Sequence, residues 1–209
     1  RFVIYQEISQ NLRTIGIFFH SLPPNIKHLG DFVDNSIVIL SFSGRNGGNC
    51  EQISEFIEHF YMRTNVHSFK IDNISASSCG GCNYECLRQG MECPQLTENL
   101  RRIMDSVMEA DLVYYIVPNY CGYPCSNFFV FNERCVCWTW GRQDRVDAYN
   151  QAKKKAIIVS NSGADNFKKL LGYHGIKEED MLFLGSRTYG SPVRASEEAK
   201  AAVHDFIER

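Results

Sequence analysis

Between residues 36 and 208, short β-branched and apolar runs alternate with longer stretches whose apolar residues recur every three to four positions. That alternation constrains the fold more than any other feature. Strands joined by helical crossovers close into a parallel sheet, and such a sheet must be covered by helices on both faces. Five runs have strand character: Ser36 to Phe42, Val66 to Ile71, Asp111 to Val117, Lys155 to Ser160 and Met181 to Gly185. The helical stripes are Ile53, Phe56, Ile57 and Phe60, then Leu96, Leu100, Ile103, Met104 and Val107, and finally Val203, Phe206 and Ile207. At 209 residues, one α/β domain accounts for the chain and buries a core without covalent staples.

Five parallel strands are too few for two mononucleotide-binding halves. They suit a flavodoxin-like three-layer sandwich with strand order 2-1-3-4-5, in which ligands bind where the order reverses, beyond the carboxyl ends of the strands. The chemistry is therefore expected in the loops after the first, third and fourth strands. Ahead of this domain (residues 36–209), residues 1–35 carry Tyr5, Ile8, Leu12, Ile15 and Phe19 at helical spacing. The run Ser21-Leu22-Pro23-Pro24-Asn25 then breaks the pattern, so an amphipathic N-terminal arm is expected there.

Charge and composition narrow the function. Twenty-two Lys and Arg against 24 Asp and Glu leave a formal net charge of −2, so no basic field gathers nucleic acid or an anionic membrane surface. No apolar run reaches the ~18–20 residues that span a bilayer, and no secretory leader pattern is visible. The chain reads as a soluble, cytoplasmic protein with neither nucleic acid nor membrane as partner. Nine cysteines, an odd number with four crowded between Cys79 and Cys93, do not form the paired framework of a small secreted domain.

The segment from Leu40 through Ser43-Gly44-Arg45-Asn46-Gly47-Gly48-Asn49-Cys50 follows a strand and opens a helix. It places small residues and free backbone N–H groups at a positive helix end, which cradles a phosphate. Ser43 and Asn49 supply side-chain donors, and Arg45 a charge-assisted one. No Gly-Lys-Ser/Thr follows and the G-x-G-x-x-G spacing is not met, so ATP and a first-loop dinucleotide are disfavoured. Taken alone, the same glycines also make an ordinary strand-to-helix turn. The third strand ends in Pro118-Asn119-Tyr120-Cys121-Gly122, a rigid turn with an aromatic ring and nearby amides that can hold a flat heterocycle. The fourth ends in Asn161-Ser162-Gly163, again beside a helix start.

Residues 43–50 resemble the S-P-R-x-x-G-N-T/S phosphate loop of the NADPH-dependent FMN reductase family, with Gly44 in place of proline and Cys50 in place of a hydroxyl residue. Residues 110–122 resemble that family's A-D-x-x-x-x-x-x-P-x-Y-x-G segment, and Ser126 to Arg134 continues like its next helix without the lysine. The resemblance implies FMN as cofactor, with Ser43, Arg45, Gly48, Asn49 and Cys50 on the phosphate. Pro118, Asn119, Tyr120, Cys121 and Gly122 then position the ring, and Asn161, Ser162 and Gly163 form a third flavin loop. It further implies NAD(P)H as co-substrate, a small-molecule or protein electron acceptor, and a homodimer or homotetramer. No protein acid or base is required for hydride delivery, so no catalytic residue is assigned. The alternatives are an iron–sulfur flavoprotein or a flavodoxin-type electron carrier without nicotinamide turnover.

Cys79-x2-Cys82-x3-Cys86-x6-Cys93 has the density of a thiolate metal site. It resembles the cysteine motif of iron–sulfur flavoproteins, with a middle spacing one residue longer than C-x2-C-x2-C. A 4Fe-4S cluster, zinc, and metal-free structural or redox thiols all remain open. Cys121, Cys125, Cys135 and Cys137 read as small buried side chains. Trp138 and Trp140 read as packing aromatics rather than a flavin lid or a subunit contact. The six histidines show no ligand spacing and receive no role.

Overall fold

The computed structural model describes residues 35–62, 64–71, 79–80, 82–88, 91–189 and 191–209. The amphipathic arm expected before residue 36 lies outside the described residues. The elements run β1 (Ser36–Ser41), α1 (Asn49–Phe60), β2 (Asn65–Lys70), a 3-10 turn (Glu85–Leu87), α2 (Glu98–Met108), β3 (Leu112–Tyr120) and β4 (Tyr123–Pro124). They continue α3 (Ser126–Thr139), α4 (Gln143–Gln151), β5 (Lys153–Val159), α5 (Ala164–Gly172), β6 (Met181–Phe183), α6 (Gly185–Thr188) and α7 (Glu197–Glu208). The parallel sheet is ordered β2-β1-β3-β5-β6, with β4 pairing antiparallel to β3 off this path. Its five parallel strands stand in the expected second-first-third-fourth-fifth order, and the two-residue β4 is an addition the sequence reading lacks.

Strict alternation along each strand divides the core between the two faces. Val38, Leu40, Val113, Tyr115, Val117, Ala156 and Ile158 point to one side, where α2, α3 and α5 pack Leu100, Ile103, Phe128, Phe131, Phe167 and Leu171 against them. Ile37, Ile39, Tyr114, Ile116 and Ile157 point to the other, under Ile53 and Ile57 of α1 and Val203, Phe206 and Ile207 of α7. Each such side chain taken fully out of water contributes roughly 1.5–3 kcal/mol, so the two faces together fix which residues of each strand end face the loops.

Three strand boundaries differ from expectation by two residues or more, each for a physical reason. β5 starts at Lys153 instead of Lys155 because two of its lysines are buried and satisfied. Lys154 donates to the carbonyls of Tyr149 and, at 3.1 Å, Ala152. Lys155 Nζ donates to the carbonyls of Phe206 (2.9 Å) and Ile207 (3.3 Å), closing the carboxyl end of α7. Burial first, and neighbouring Lys153 second, push the Lys155 amine down to about 8. β6 ends at Phe183 because Leu184 N turns back to Ile158 O at 2.9 Å and α6 follows. β3 runs on to Tyr120 because a hairpin continues it. Among the described residues no helix is long and apolar enough to cross a membrane.

Candidate functional site

The loops after β1, β3 and β5 meet at the carboxyl edge of the sheet, beside the β1/β3 boundary where the strand order reverses. The helices that begin there share a local feature. α1, α3 and α5 start at Gly48, Cys125 and Gly163, and at none of these caps does a side chain accept a helix N–H. By contrast Thr97 caps α2, accepting from Leu100 N at 3.2 Å, and Ser196 caps α7, accepting from Ala199 N at 3.2 Å. Helix starts facing the edge therefore keep N–H groups that their own caps do not bind.

In the first loop, Phe42 N donates to Ile116 O at 3.0 Å and anchors the segment on β3. Residues 44–47 are exposed while Ser43 is buried. Ser43 Oγ accepts from Arg45 N at 3.3 Å. Gly47 adopts φ +64, with open space where a side chain would stand, and its N–H donates to the Glu51 carboxylate. A Cβ on Gly48 would come 3.3 Å from Arg45 Cβ, so the loop backbone closes tightly on the helix start. The Arg45 guanidinium sits 5.9 Å from the Tyr120 ring centroid, joining the first loop to the end of β3.

Asn49 and Cys50 are committed to the protein itself. Asn49 Oδ1 accepts from Val193 N at 3.0 Å, leaving its amide NH2 as the group available to a ligand. Cys50 turns into the core at 3% exposure. Burial first, then Cys125, push its thiol up to about 12 against the lowering effects of Ser43 and Arg45. It is a neutral packing group at neutral pH, with only its backbone facing the loop.

The second wall is a two-residue hairpin. Asn119 pairs with Pro124 and Tyr120 with Tyr123. Cys121 (φ +54) and Gly122 (φ +86) form the turn, a combination of positive φ angles that matches the strand twist. Asn119 holds it from inside, accepting from Gly122 N at 2.9 Å through Oδ1 and donating through Nδ2 to Ser162 O of the third loop. Asn166 Nδ2 donates to Gly122 O at 3.0 Å. Between them the backbones approach so closely that a Cβ on Gly163 (φ +65) would lie 2.4 Å from Gly122 O. Asn161 packs against Gly185, where a Cβ would come 2.2 Å from its Cγ. Ser160 has φ +102, a conformation that costs a non-glycine residue of order 1–3 kcal/mol and persists where surrounding contacts impose it. Pro118 is buried, Asn119 partly so, and Tyr120 and Tyr123 are exposed aromatics. The sequence reading did not single out Tyr123, Asn166 or Gly185; the Tyr-Cys-Gly-Tyr string was the available sign of a tight hairpin.

Among the remaining cysteines, Cys125 is buried and its Sγ–H donates to Phe42 O at 3.0 Å, tying the start of α3 to the first loop. Cys135 and Cys137 are also buried, whereas Cys121 is exposed at the hairpin tip, against expectation, because the turn points its side chain outward.

The cysteine segment lies elsewhere. Cys86 and Cys93 are buried, Cys82 is intermediate and Cys79 is exposed. Cys86 and Cys93 cluster with Cys137 of α3, and Leu96 packs against them. Cys86 Sγ and Cys137 Sγ are 3.9 Å apart. Cys82 instead lines an open cleft of about 480 Å³ with Gly80, Asn83, Glu85, Pro94 and Gln95. Cys137 lies eleven residues into a helix that begins at the hairpin, about 16 Å along its axis. Trp138, buried beside it, is covered by the Arg145 guanidinium at 3.8 Å from its ring centroid, while Trp140 is half exposed beyond the helix end. Both are at the far end of α3 from the hairpin.

No protein-family model matches the chain, and no curated protein matches it in sequence. Solved structures do match in shape. A putative quinone reductase from Klebsiella pneumoniae superposes with a TM-score of 0.58 at 10% identity, over 83% of this chain and 84% of that one. The Trp repressor binding protein from Bacillus subtilis gives 0.55 at 12% identity, over 83% and 97%. FerB, a flavoenzyme NAD(P)H:(acceptor) oxidoreductase from Paracoccus denitrificans, gives 0.53 at 13% identity, over 83% and 96%. At such identities shape alone is shared, and together with the observed strand order it establishes that this chain has the flavodoxin-like fold.

Proposed function

We propose that the chain is an FMN-dependent oxidoreductase that takes electrons from NAD(P)H and passes them to a small-molecule or protein acceptor. The observation that carries this reading is the junction of the three loops at the strand-order reversal, where Arg45 of the first loop meets Tyr120 of the hairpin at 5.9 Å and the hairpin is bonded to the loop after β5. The descriptions of two fold neighbours, a putative quinone reductase and a flavoenzyme NAD(P)H:(acceptor) oxidoreductase, support it.

The residues present suit the mononucleotide. Gly47 leaves open space beside a helix start with no side-chain cap. Ser43, Arg45, the Gly48 amide and the Asn49 NH2 would hold the phosphate, with Cys50 contributing backbone only. Asn119, Tyr120 and the Cys121 and Gly122 backbone would orient the ring from one side, with Asn161, Ser162 and Gly163 on the other, above buried Pro118. FMN, when bound, supplies hydride acceptance and one- or two-electron release. The chain's own part is to bind, to orient, and through the hairpin's exposed aromatics to exclude water from one wall. In this reading the protein works as a homodimer or larger assembly in the cytoplasm.

An ultraviolet–visible spectrum of anaerobically purified protein, taken before and after adding NADPH, tests the reading. Flavin bands that bleach support a reductase; flavin bands that persist leave an electron carrier. A protein that stays colourless when FMN is supplied overturns the assignment.

Two substitutions locate the phosphate. Arg45→Ala removes an exposed charge-assisted contact and should weaken FMN by about tenfold, or about 1.4 kcal/mol. The melting temperature of the flavin-free protein should not move. An unchanged dissociation constant in a fluorescence titration would put the phosphate elsewhere. Glu51→Gln keeps an acceptor for Gly47 N–H but removes a like charge from the cradle. It should tighten FMN roughly threefold at low salt, with the gain fading as salt screens it; weaker binding would show that the carboxylate serves the loop's shape.

A further inference from the structure

We propose that Cys79, Cys86, Cys93 and Cys137 form a tetrathiolate site for a single zinc ion, in which a helix cysteine replaces Cys82 of the sequence-adjacent set.

The central observation is the pair of buried thiols brought together from distant segments, Cys86 Sγ and Cys137 Sγ at 3.9 Å. Zinc bound to sulfur at about 2.3 Å in tetrahedral geometry sets its ligand sulfurs about 3.8 Å apart. In a four-iron cluster each cysteine binds a different iron, so its sulfurs stand farther apart than that. The spacing therefore favours one tetrahedral ion over a cluster. Cys93 completes a cluster of three buried cysteines with this pair. Cys79 is held over the same helix because its N–H donates to Glu133 Oε2 of α3 at 2.7 Å. Cys82 lines the open cleft instead.

The surroundings suit an anionic centre. Four thiolates on one divalent ion carry a net charge of −2, and the buried Arg134, 2% exposed, donates from Nη1 to Cys93 Sγ at 3.4 Å. Arg134 also donates from Nη2 to Gln95 Oε1 at 3.1 Å. The described residues between Cys79 and Leu96 have no regular structure beyond one 3-10 turn, so a metal would add a cross-link to α3 beyond the bonds made there by Glu133 and Arg134. Among the described residues, only His204, Asp205 and Glu208 place three donor atoms within 4.8 Å of one another. The thiols are thus not fully gathered, and Cys79 and Cys93 must draw in around the Cys86–Cys137 pair. On binding, each Sγ–H loses its proton to solvent as the metal–sulfur bond forms, with no change of oxidation state.

The test uses the reduced full-length chain, one equivalent of zinc or cobalt, and no activity assay. Bound zinc should shield the exposed Cys79 from alkylation, while Cys82 and Cys121 still react and are identified by mass spectrometry. Cobalt should give the intense charge-transfer absorption of tetrahedral thiolate coordination. Cys82→Ser should retain about one equivalent of zinc, and Cys137→Ser should lose at least ten-fold in affinity. Should Cys137→Ser fail to fold, the alkylation pattern of the unsubstituted chain decides. Failure of zinc to bind, shielding of Cys82 in place of Cys79, zinc retained at full affinity by Cys137→Ser, or iron with equimolar sulfide in the purified protein would each overturn the proposal. The outcome is independent of flavin binding at the opposite end of α3.

Discussion

Gly163→Ala should lower the stability of the domain by about 3 kcal/mol. Two costs add. Gly163 sits at φ +65, where an L side chain costs roughly 1–2 kcal/mol. The new methyl group would lie 2.4 Å from Gly122 O, 2.6 Å from its Cα and 2.8 Å from its carbonyl carbon. All three atoms are backbone, so no rotamer change relieves the overlap, and forced displacement of packed structure costs roughly 1–3 kcal/mol more. For a domain of this size the fall in melting temperature is roughly 6–12 °C. Gly172→Ala is the matched control: it lies at the other end of the same helix, φ is not positive, and no atom stands within 4 Å of its added Cβ. It should be neutral or slightly stabilising. If the two variants melt together, the Gly122–Gly163 approach is looser than described. If Gly163→Ala is accommodated by hairpin displacement, the Asn119–Ser162 and Asn166–Gly122 bonds must break, and FMN retention should fall with stability.

Acid should destabilise the core through His174, in a window set by one imidazole. The ring is 4% exposed and its Nδ1 is 2.6 Å from Tyr149 OH, which in turn is 2.7 Å from Tyr115 OH. Its Nε2 has no hydrogen-bond partner among the described residues. Burial first, then the nearby Lys154 amine, push its pKa down from 6.5 to about 4. Between those values the unfolded chain holds a proton that the folded one refuses, so unfolding takes up a proton and stability rises with pH. The contribution is fully present above about pH 6.5 and is lost as pH falls towards 4. The whole shift corresponds to about 3 kcal/mol, of which about 2 kcal/mol should disappear between pH 7 and pH 5. Urea melts at the two pH values, compared with those of His174→Leu, isolate the effect from the carboxylates. The substitution should lower stability at pH 7 by leaving Tyr149 OH short of a partner, and should flatten the slope between pH 7 and 5. An undiminished slope in the variant would assign the acid sensitivity to other groups.

The fold was legible because its signal is distributed. Continuous apolar runs in β1, β3 and β5, buried on both faces, and period-3.6 stripes in α1, α2 and α7 all point to the same layered arrangement, and the topological rule then places the loops at the carboxyl edge without knowledge of any single contact. The errors arose where one side chain outweighs composition. The fourth strand was expected to begin at Lys155, yet both Lys154 and Lys155 are inside, the first satisfied by carbonyls of the preceding turn and the second by carbonyls of α7, some fifty residues on. The loop after β3 was recognised by its residues but not as a hairpin, since Asn119 organises it through bonds to Gly122 and Ser162 that only the folded chain brings together. Cys137 stayed outside the cysteine set for a related reason. Spacing rules read ligands along the chain, whereas this thiol reaches Cys86 across the face of a helix.

The length of β3 bears on how anything held at this edge would come and go. Its pairing with β1 ends at Ile116 and with β5 at Pro118, so Asn119 and Tyr120 overhang both neighbours, by roughly 13 Å and 7 Å at a strand rise of about 3.3 Å per residue. Beyond its pairing with β4, the overhang is held unevenly on its two sides. Two amide side chains rivet it to the loop after β5 and the start of α5, while towards the first loop it is met by the Arg45–Tyr120 contact. A group held at this edge would meet its least-braced wall on the residue 44–46 side, where the Arg45–Tyr120 contact links the first loop to the overhang.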